Sequence, residues 1–254
     1  MTVPTPDEIQ EQFTAHYQPI VDLNTGSVTG FEALARIIQP DGSVTPPGPV
    51  IDEIEADKDT LKALIRAILG SLRRDMVPLF EIRKNFYVSV NIPPAILGTG
   101  EVWQIINELE LTPSLNRIMC EVTERQALTP LGRSALEAAR QAGISIAIDD
   151  FGTGHSGLMQ IVGLDFDVLK IDRSLIDGVL TNQAAARMLR GIVALAAALR
   201  LRTVAEGVET WEHAFFLRAA GVDCGQGWFW SKALAAAEAF RLMGAGFPVT
   251  GDRR

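Results

Sequence analysis

Apolar positions along this chain recur in two rhythms, short continuous or alternating runs and longer stretches at helical spacing, and the two take turns. Ala15 to Val21 and Val28 to Arg36 are strand-like runs joined by Asp22-Leu23-Asn24-Thr25-Gly26, whose Asn and Gly suit a hairpin turn. That pair is predicted to be antiparallel. Met1 to Phe13 reads as a lead-in ending in a short helix. After a loop rich in proline and glycine, Pro40 to Pro49, apolar residues at Ile51, Ile54, Leu61, Leu64, Ile65, Ile68 and Leu72 mark one or two helices.

The remainder alternates. Strands are predicted at Tyr87 to Asn91, Arg117 to Val122, Ser145 to Ile148, Val168 to Ile171, Thr203 to Ala205 and near Asp223 to Gly227. Helices are predicted near Val102 to Leu109, Leu131 to Ala142, after Gly157, Gln183 to Arg200, Trp211 to Ala220 and Ala235 to Met243. Eight strands that mostly alternate with helices are the mark of parallel βαβ units. The fold class is therefore α/β, either a closed (β/α)8 barrel or an open doubly wound sheet. Polar residues at strand ends favour the barrel: Asn91, Glu121, Asp149 with Asp150, Lys170, Glu206 and Gln226 would all lie on one face. Glu32, inside the second strand, is expected to reach the same mouth.

The stretch 144–157 carries the sharpest chemical signal, because an apolar run ends in Asp149 and Asp150 and then in a loop with Gly152, Gly154 and Gly157. Taken alone, such a pair fits a solvated turn or a helix cap. Asp150-Phe151-Gly152 also mimics the magnesium triplet of protein kinases, but no kinase catalytic loop or phosphate loop precedes it. Recurrence changes the picture. Glu32, Glu121, Asp149, Asp150 and Glu206 would crowd five carboxylates into one concave site, and like charges in low dielectric coexist only when cations compensate them. With Asn91 the donors are all oxygens, which selects Mg²⁺ or Mn²⁺ over zinc, and their number points to two ions sharing Asp149. The natural reaction class is phosphodiester hydrolysis.

Lys170 has three readings: a Schiff-base lysine, a structural partner of Asp172 or Asp165, or an ammonium that orients water and offsets phosphate charge. Surrounding carboxylates push a lysine pKa up, which disfavours the first. His16 and His213 suit packing or surface roles, whereas His155 in the glycine-rich loop could meet ligand or a neighbouring protomer. Trp228 and Trp230 could stack on a nucleobase or simply pack at the rim.

Length and charge set outer limits. A chain of 254 residues with 47% hydrophobic residues can bury a full core, and one domain over 1–254, with its core at about 14–245, is expected. A net charge of -8 argues against long nucleic acids as partners. Cys120 and Cys224 sit far apart in apolar runs, without zinc or redox spacing, and are expected to be buried and reduced. No signal-peptide pattern and no membrane-length apolar segment is visible, so a cytoplasmic location is expected.

These motifs, in this order, resemble the EAL phosphodiesterases, which hydrolyse the bacterial second messenger cyclic di-GMP. The matches are Tyr17-Gln18-Pro19-Ile20, Phe31-Glu32-Ala33-Leu34 with Arg36, Val90-Asn91-Ile92, Glu121-Val122-Thr123-Glu124, Asp149 to Gly154, Lys170-Ile171-Asp172, Ala205-Glu206-Gly207-Val208-Glu209 and Gln226-Gly227. The resemblance implies a modified TIM (β/α)8 barrel with one antiparallel strand. It implies that Glu32, Asn91, Glu121 and Asp149 hold one Mg²⁺ or Mn²⁺, that Asp149, Asp150 and Glu206 engage a second, and that Lys170 contacts the water network. Glu206 is also cast as a general base in that family. Gln18, Arg36 and Gln226 match substrate-side residues, Arg36 offering a fork of donors to phosphate. Glu124 and Glu209 match residues that support the ligands from behind, Glu124 as anchor of the loop after Asp150.

Further implications are cleavage of one phosphodiester to linear pGpG, inhibition by Ca²⁺ and homodimerisation through the region of that loop. Departures from the usual wording fall at His155, where tyrosine is usual, at Ala35-Arg36-Ile37 and at Trp228 to Ala233. They touch loop control and base fit rather than metal binding. The alternative is a catalytically silent cyclic di-GMP receptor or a protein-interaction module.

Overall fold

The structure is a computed structural model that describes residues 3–152 and 164–247. His155, Gly154 and the helix expected after Gly157 lie outside the described residues. The strands are β1 (Phe13–Asp22), β2 (Val28–Ile38), β3 (Val44–Thr45), β4 (Tyr87–Asn91), β5 (Ile118–Thr123), β6 (Ser145–Phe151), β7 (Val168–Ile171), β8 (Arg202–Ala205) and β9 (Cys224–Gly225). Their order is β1-β9-β8-β7-β6-β5-β4-β2-β3, and β1 also pairs with β2. Eight strands thus close into a ring, with β3 appended outside it. β1 is antiparallel to both its neighbours, and the other pairings within the ring are parallel. The open-sheet alternative is excluded.

Closure follows from the side-chain pattern. Ile20, Met119, Ala147, Val168, Val204 and Cys224 form one small buried cluster with Tyr87 against it. Each of the six sits two residues before or after a mouth residue on its strand or just past the strand's end, and residues two apart share a strand face, so these apolar side chains fill the ring below the polar mouth. At Gly30 no side chain fits, because a Cβ there would lie 2.9 Å from the Tyr87 ring. The opposite strand faces, among them Cys120, Val122, Ile146, Ile148, Leu169 and Ile171, join the larger core beneath the surrounding helices. Both cysteines are free and buried, Cys224 inside the ring and Cys120 outside it.

The helix Lys58–Asp75 shows why the outer layer forms. Asp57 caps it by accepting from the Thr60 backbone, and Leu61, Leu64, Ile65, Ile68 and Leu72 repeat on its buried face. The helix Pro6–Gln12, capped by a reciprocal Thr5 and Glu8 pair, buries Ile9 fully, so the core reaches into the segment expected as a lead-in. Short elements unforeseen in the sequence, β3, helix Val77–Ile82 and helix Glu124–Ala127, are each two to six residues long, below the length at which periodicity reads. Strand β6 runs three residues past its expected end at Ile148, through a register shift between Ile148 and Phe151.

Candidate active site

The parallel strands end at one rim of the ring, and the chain's turn chemistry there exposes the polar residues. Asp150 has φ 59, a left-handed conformation uncommon outside glycine, and its backbone N–H donates to Asp149 Oδ1 at 3.0 Å. On a regular strand adjacent side chains point to opposite faces. The bulge removes that constraint: among the described residues, Asp149, Asp150 and Glu206 each place one carboxylate oxygen within 4.8 Å of the others.

Beneath that trio lies a polar floor. Lys170 is 1% exposed, and its Nζ lies 2.8 Å from Glu121 Oε2, 2.7 Å from Glu206 Oε1, 3.2 Å from Asp149 Oδ1 and 3.6 Å from Glu32 Oε2. The structural pairing with Asp165 or Asp172 is not what forms; Asp172 instead caps the short helix Arg173–Ile176. Burial pulls the Lys170 pKa down, but Glu121, Glu206, Glu32 and Asp149 outweigh it and hold the ammonium well above the ordinary lysine value. An ammonium held this firmly is a poor nucleophile, which argues against the Schiff-base reading.

The carboxylates feel the converse. Burial, with the Glu32 and Asp149 charges, raises Glu121 well above the usual carboxylate value despite Lys170. Burial pushes Glu206 up to about 8, against the pull of Lys170 and with the push of Asp149 and Glu32. Burial and Asp149 also raise Asp150. Among the described residues Glu121 Oε1 has no hydrogen-bond partner. A buried, unpartnered acceptor amid four other carboxylates fits a hard divalent cation.

A pH dependence follows. Folded Glu121 and Glu206 keep their protons to higher pH than unfolded carboxylates do, so between about pH 4.5 and 8 the folded state binds more protons and stability falls as pH rises. The melting temperature of chelator-treated protein should drop across that window, and Glu206→Gln should flatten the drop. A wild-type melting temperature that rose from about pH 5 to 8, with Glu206→Gln tracking it in parallel, would contradict the elevated carboxyls.

Several of the remaining expected residues gather at the same rim. Glu32 Oε2 accepts from Gln226 Nε2, which also donates to Gln18 Oε1 at 3.1 Å, while Gln18 Nε2 donates to the Ser231 carbonyl at 3.1 Å. Asn91 directs Nδ2 toward Glu32 Oε1 at 3.3 Å and Glu121 Oε2 at 3.4 Å, so its oxygen can serve a cation only after the amide turns over. Arg36 is half-buried on β2 and spends Nη1 on the Ala35 carbonyl at 2.8 Å. Glu124 is buried, and among the described residues neither of its carboxylate oxygens has a partner. Glu209 is exposed and pairs with Arg173.

An open cavity of about 280 Å³ sits over this floor, lined in part by Gln18, Glu32, Asp149, Arg173, Glu206 and Trp228. The two tryptophans part company there. Trp228 is 60% exposed, with Lys232 Nζ 4.5 Å from its ring centroid, whereas Trp230 packs edge-on to Phe229 and covers Gly225. Arg173 is the cavity residue that sequence reading passed over. Its only sequence signal is its place directly after Lys170-Ile171-Asp172.

Comparison with known proteins gives one consistent answer. Residues 6–233 match the EAL domain. The chain is 36% identical over 224 residues to the "Probable cyclic di-GMP phosphodiesterase PdeB" of Escherichia coli K12, covering 86% of this chain and 42% of that protein. The chain thus spans less than half of that relative's length. Among solved structures, the PaMucR phosphodiesterase in complex with c-di-GMP superposes with a TM-score of 0.77 at 29% identity, covering 91% of this chain and 95% of that one. The calcium and cyclic di-GMP complex of Klebsiella pneumoniae BlrP1 gives 0.74 at 26% identity, covering 92% and 59%. No helix among the described residues is long and apolar enough to cross a membrane.

Proposed function

This chain belongs to the EAL domain family, and from that premise we propose that it hydrolyses one phosphodiester bond of cyclic di-GMP to linear pGpG with Mg²⁺ or Mn²⁺. The observation that most supports this reading is the convergence of Glu32, Glu121, Asp149 and Glu206, from four separate strands or strand ends, on one buried ammonium. Such an arrangement is a poor stability device, since buried ion pairs roughly break even against apolar packing.

In this reading Glu32, Asn91, Glu121 and Asp149 would hold one cation, and Asp149, Asp150 and Glu206 would hold a second. A divalent cation bound there supplies charge neutralisation at the phosphoryl group and activates water near neutral pH. The chain's own residues do the rest. Lys170 stays charged, draws the surrounding carboxyl groups together and offers a proton donor to water or a phosphate oxygen at the floor. Glu206 stands beside Asp149 and Lys170, where it could instead take a proton from water as a general base. Arg36 provides paired donors for a phosphate oxygen, and Gln18 and Gln226 present amides to the substrate side. Trp228 offers an exposed aromatic face to a guanine at the cavity edge.

Incubation with cyclic di-GMP and Mn²⁺ should yield pGpG by chromatography, and Ca²⁺ should suppress it, because Ca²⁺ prefers longer bonds and more ligands. Tight binding without product under both Mg²⁺ and Mn²⁺ would identify a receptor instead. Intact substrate without binding would reject both readings.

A further inference from the structure

We propose that Arg173 is a positioning residue for Glu206, acting through the loop Glu206-Gly207-Val208-Glu209. The idea rests on the phosphodiesterase reading for its turnover measurement, while its metal-binding measurement stands apart from that reading. The loop is fastened by backbone on its inner sides. Glu206 N–H donates to the Ile171 carbonyl at 3.0 Å, Val208 N–H to the Gln226 carbonyl at 3.0 Å, and Phe229 N–H to the Val208 carbonyl at 3.0 Å.

Its outer side is covered by Arg173. The guanidinium Nη1 lies 2.8 Å from Glu209 Oε1, and Nε donates to Asp177 Oδ2 at 3.2 Å. The aliphatic stem lies flat on Gly207, where a Cβ would come within 2.4 Å of Arg173 Cγ, 2.7 Å of its Cβ and 2.8 Å of its Cδ. Gly207 also has φ +66, so the bend that turns Glu206 toward the floor requires glycine twice over, for backbone and for space. Arg173 therefore grips one residue beyond Glu206 by packing and three residues beyond it by charge.

The clasp joins the same two strand ends that Lys170 joins from within. Arg173 follows β7, which carries Lys170, and Glu206 follows β8. If Glu206 turns from Lys170 to a cation, the inner tie is lost and the outer one remains to hold the loop. Arg173 and Glu209 are 48% and 36% exposed, so their ion pair adds little to global stability. Its consequence is local.

The sign of one measurement separates this role from plain electrostatics. Arg173 lines the cavity with Asp149 and Glu206, so deleting its charge should by Coulomb's law alone tighten binding of a cation there. Loss of positioning should weaken it. Mn²⁺ binding to chelator-treated protein, followed by the electron paramagnetic resonance of free Mn²⁺, should show Arg173→Met about tenfold weaker than wild type, the low end for partners that orient ligands. Melting temperature should stay within about 2 °C, as for a surface pair. With cyclic di-GMP, kcat should fall by a similar factor while KM changes less than about twofold. Arg173→Lys should recover part of the loss, and Arg173→Met combined with Glu209→Gln should be no worse than Arg173→Met alone.

Unchanged or tighter Mn²⁺ binding in Arg173→Met overturns the proposal, as does a raised KM with kcat intact, which makes Arg173 a substrate contact. Wild-type protein that binds Mn²⁺ but leaves cyclic di-GMP uncut defeats the phosphodiesterase reading alone; the Mn²⁺ comparison then still decides the role of Arg173.

Discussion

Lys170→Met should lower turnover of cyclic di-GMP by about a thousandfold or more, a loss on the scale of a missing transition-state donor. It should also destabilise the metal-free protein. Glu121 is 2% exposed, its Oε2 rests on the Lys170 ammonium at 2.8 Å, and its Oε1 has no partner among the described residues. Removing one member of a buried pair leaves the other uncompensated, at a cost of about 3–5 kcal/mol. The cost should depend on pH in a defined direction. Without Lys170 the carboxyls hold protons to still higher pH, so folded protein binds the proton that unfolded protein has released, and stability falls as pH rises above about 4.5. Urea unfolding should therefore show a small penalty near pH 5 and the full penalty near pH 8. Mg²⁺ or Mn²⁺ should restore part of it at pH 8. An equal penalty at both pH values would mean that packing, not charge, is what the lysine supplies.

The second large effect is expected from Glu32→Ala. Glu32 is 6% exposed and accepts from both Gln226 and Asn91. Its loss removes a proposed cation donor and takes one of two acceptors from each of the Asn91 and Gln226 amides, so turnover should fall about a hundredfold to a thousandfold, again the scale of one electrostatic stabiliser. Because Glu32 stands 3.6 Å from Lys170 while Glu121 and Glu206 are nearer, the ammonium keeps close partners and the fold should survive. Circular dichroism and melting curves near those of wild type, combined with the kinetic loss, are the expected pair of results. Wild-type rates would place the chemistry elsewhere.

How far the sequence discloses such a site depends on the scale of each feature. The eight ring strands and the antiparallel hairpin were legible because most of those strands place four or more residues in an apolar or alternating run, and because turn residues lie between the first two. Their polar ends were legible for the same reason: Asn91, Glu121, Asp149, Lys170 and Glu206 interrupt apolar runs at corresponding places. What lay hidden is short or conformational. No pattern announces that Asp150 adopts a left-handed backbone, yet that bend is what lets it share a site with Asp149. Nor does spacing reveal that four carboxylates meet at Lys170 rather than Asp165 or Asp172 doing so, since the partners come from separate strands and only ring closure brings them together. Trp228 and Trp230, two residues apart, read alike in sequence and separate only when one is seen over Gly225 and the other at the cavity edge.

Charge economy ties these features together: on the function proposed, the ammonium of Lys170 holds the carboxylates together until divalent cations take over part of that task. Anomalous X-ray scattering from crystals of this protein grown with Mn²⁺ and cyclic di-GMP tests that claim most directly. The account predicts Mn²⁺ peaks among Glu32, Asn91, Glu121, Asp149, Asp150 and Glu206, with the Asn91 amide turned to present its oxygen. Full-occupancy Mn²⁺ bound only elsewhere on the molecule, with Lys170 still joined to all four carboxylates, would contradict it.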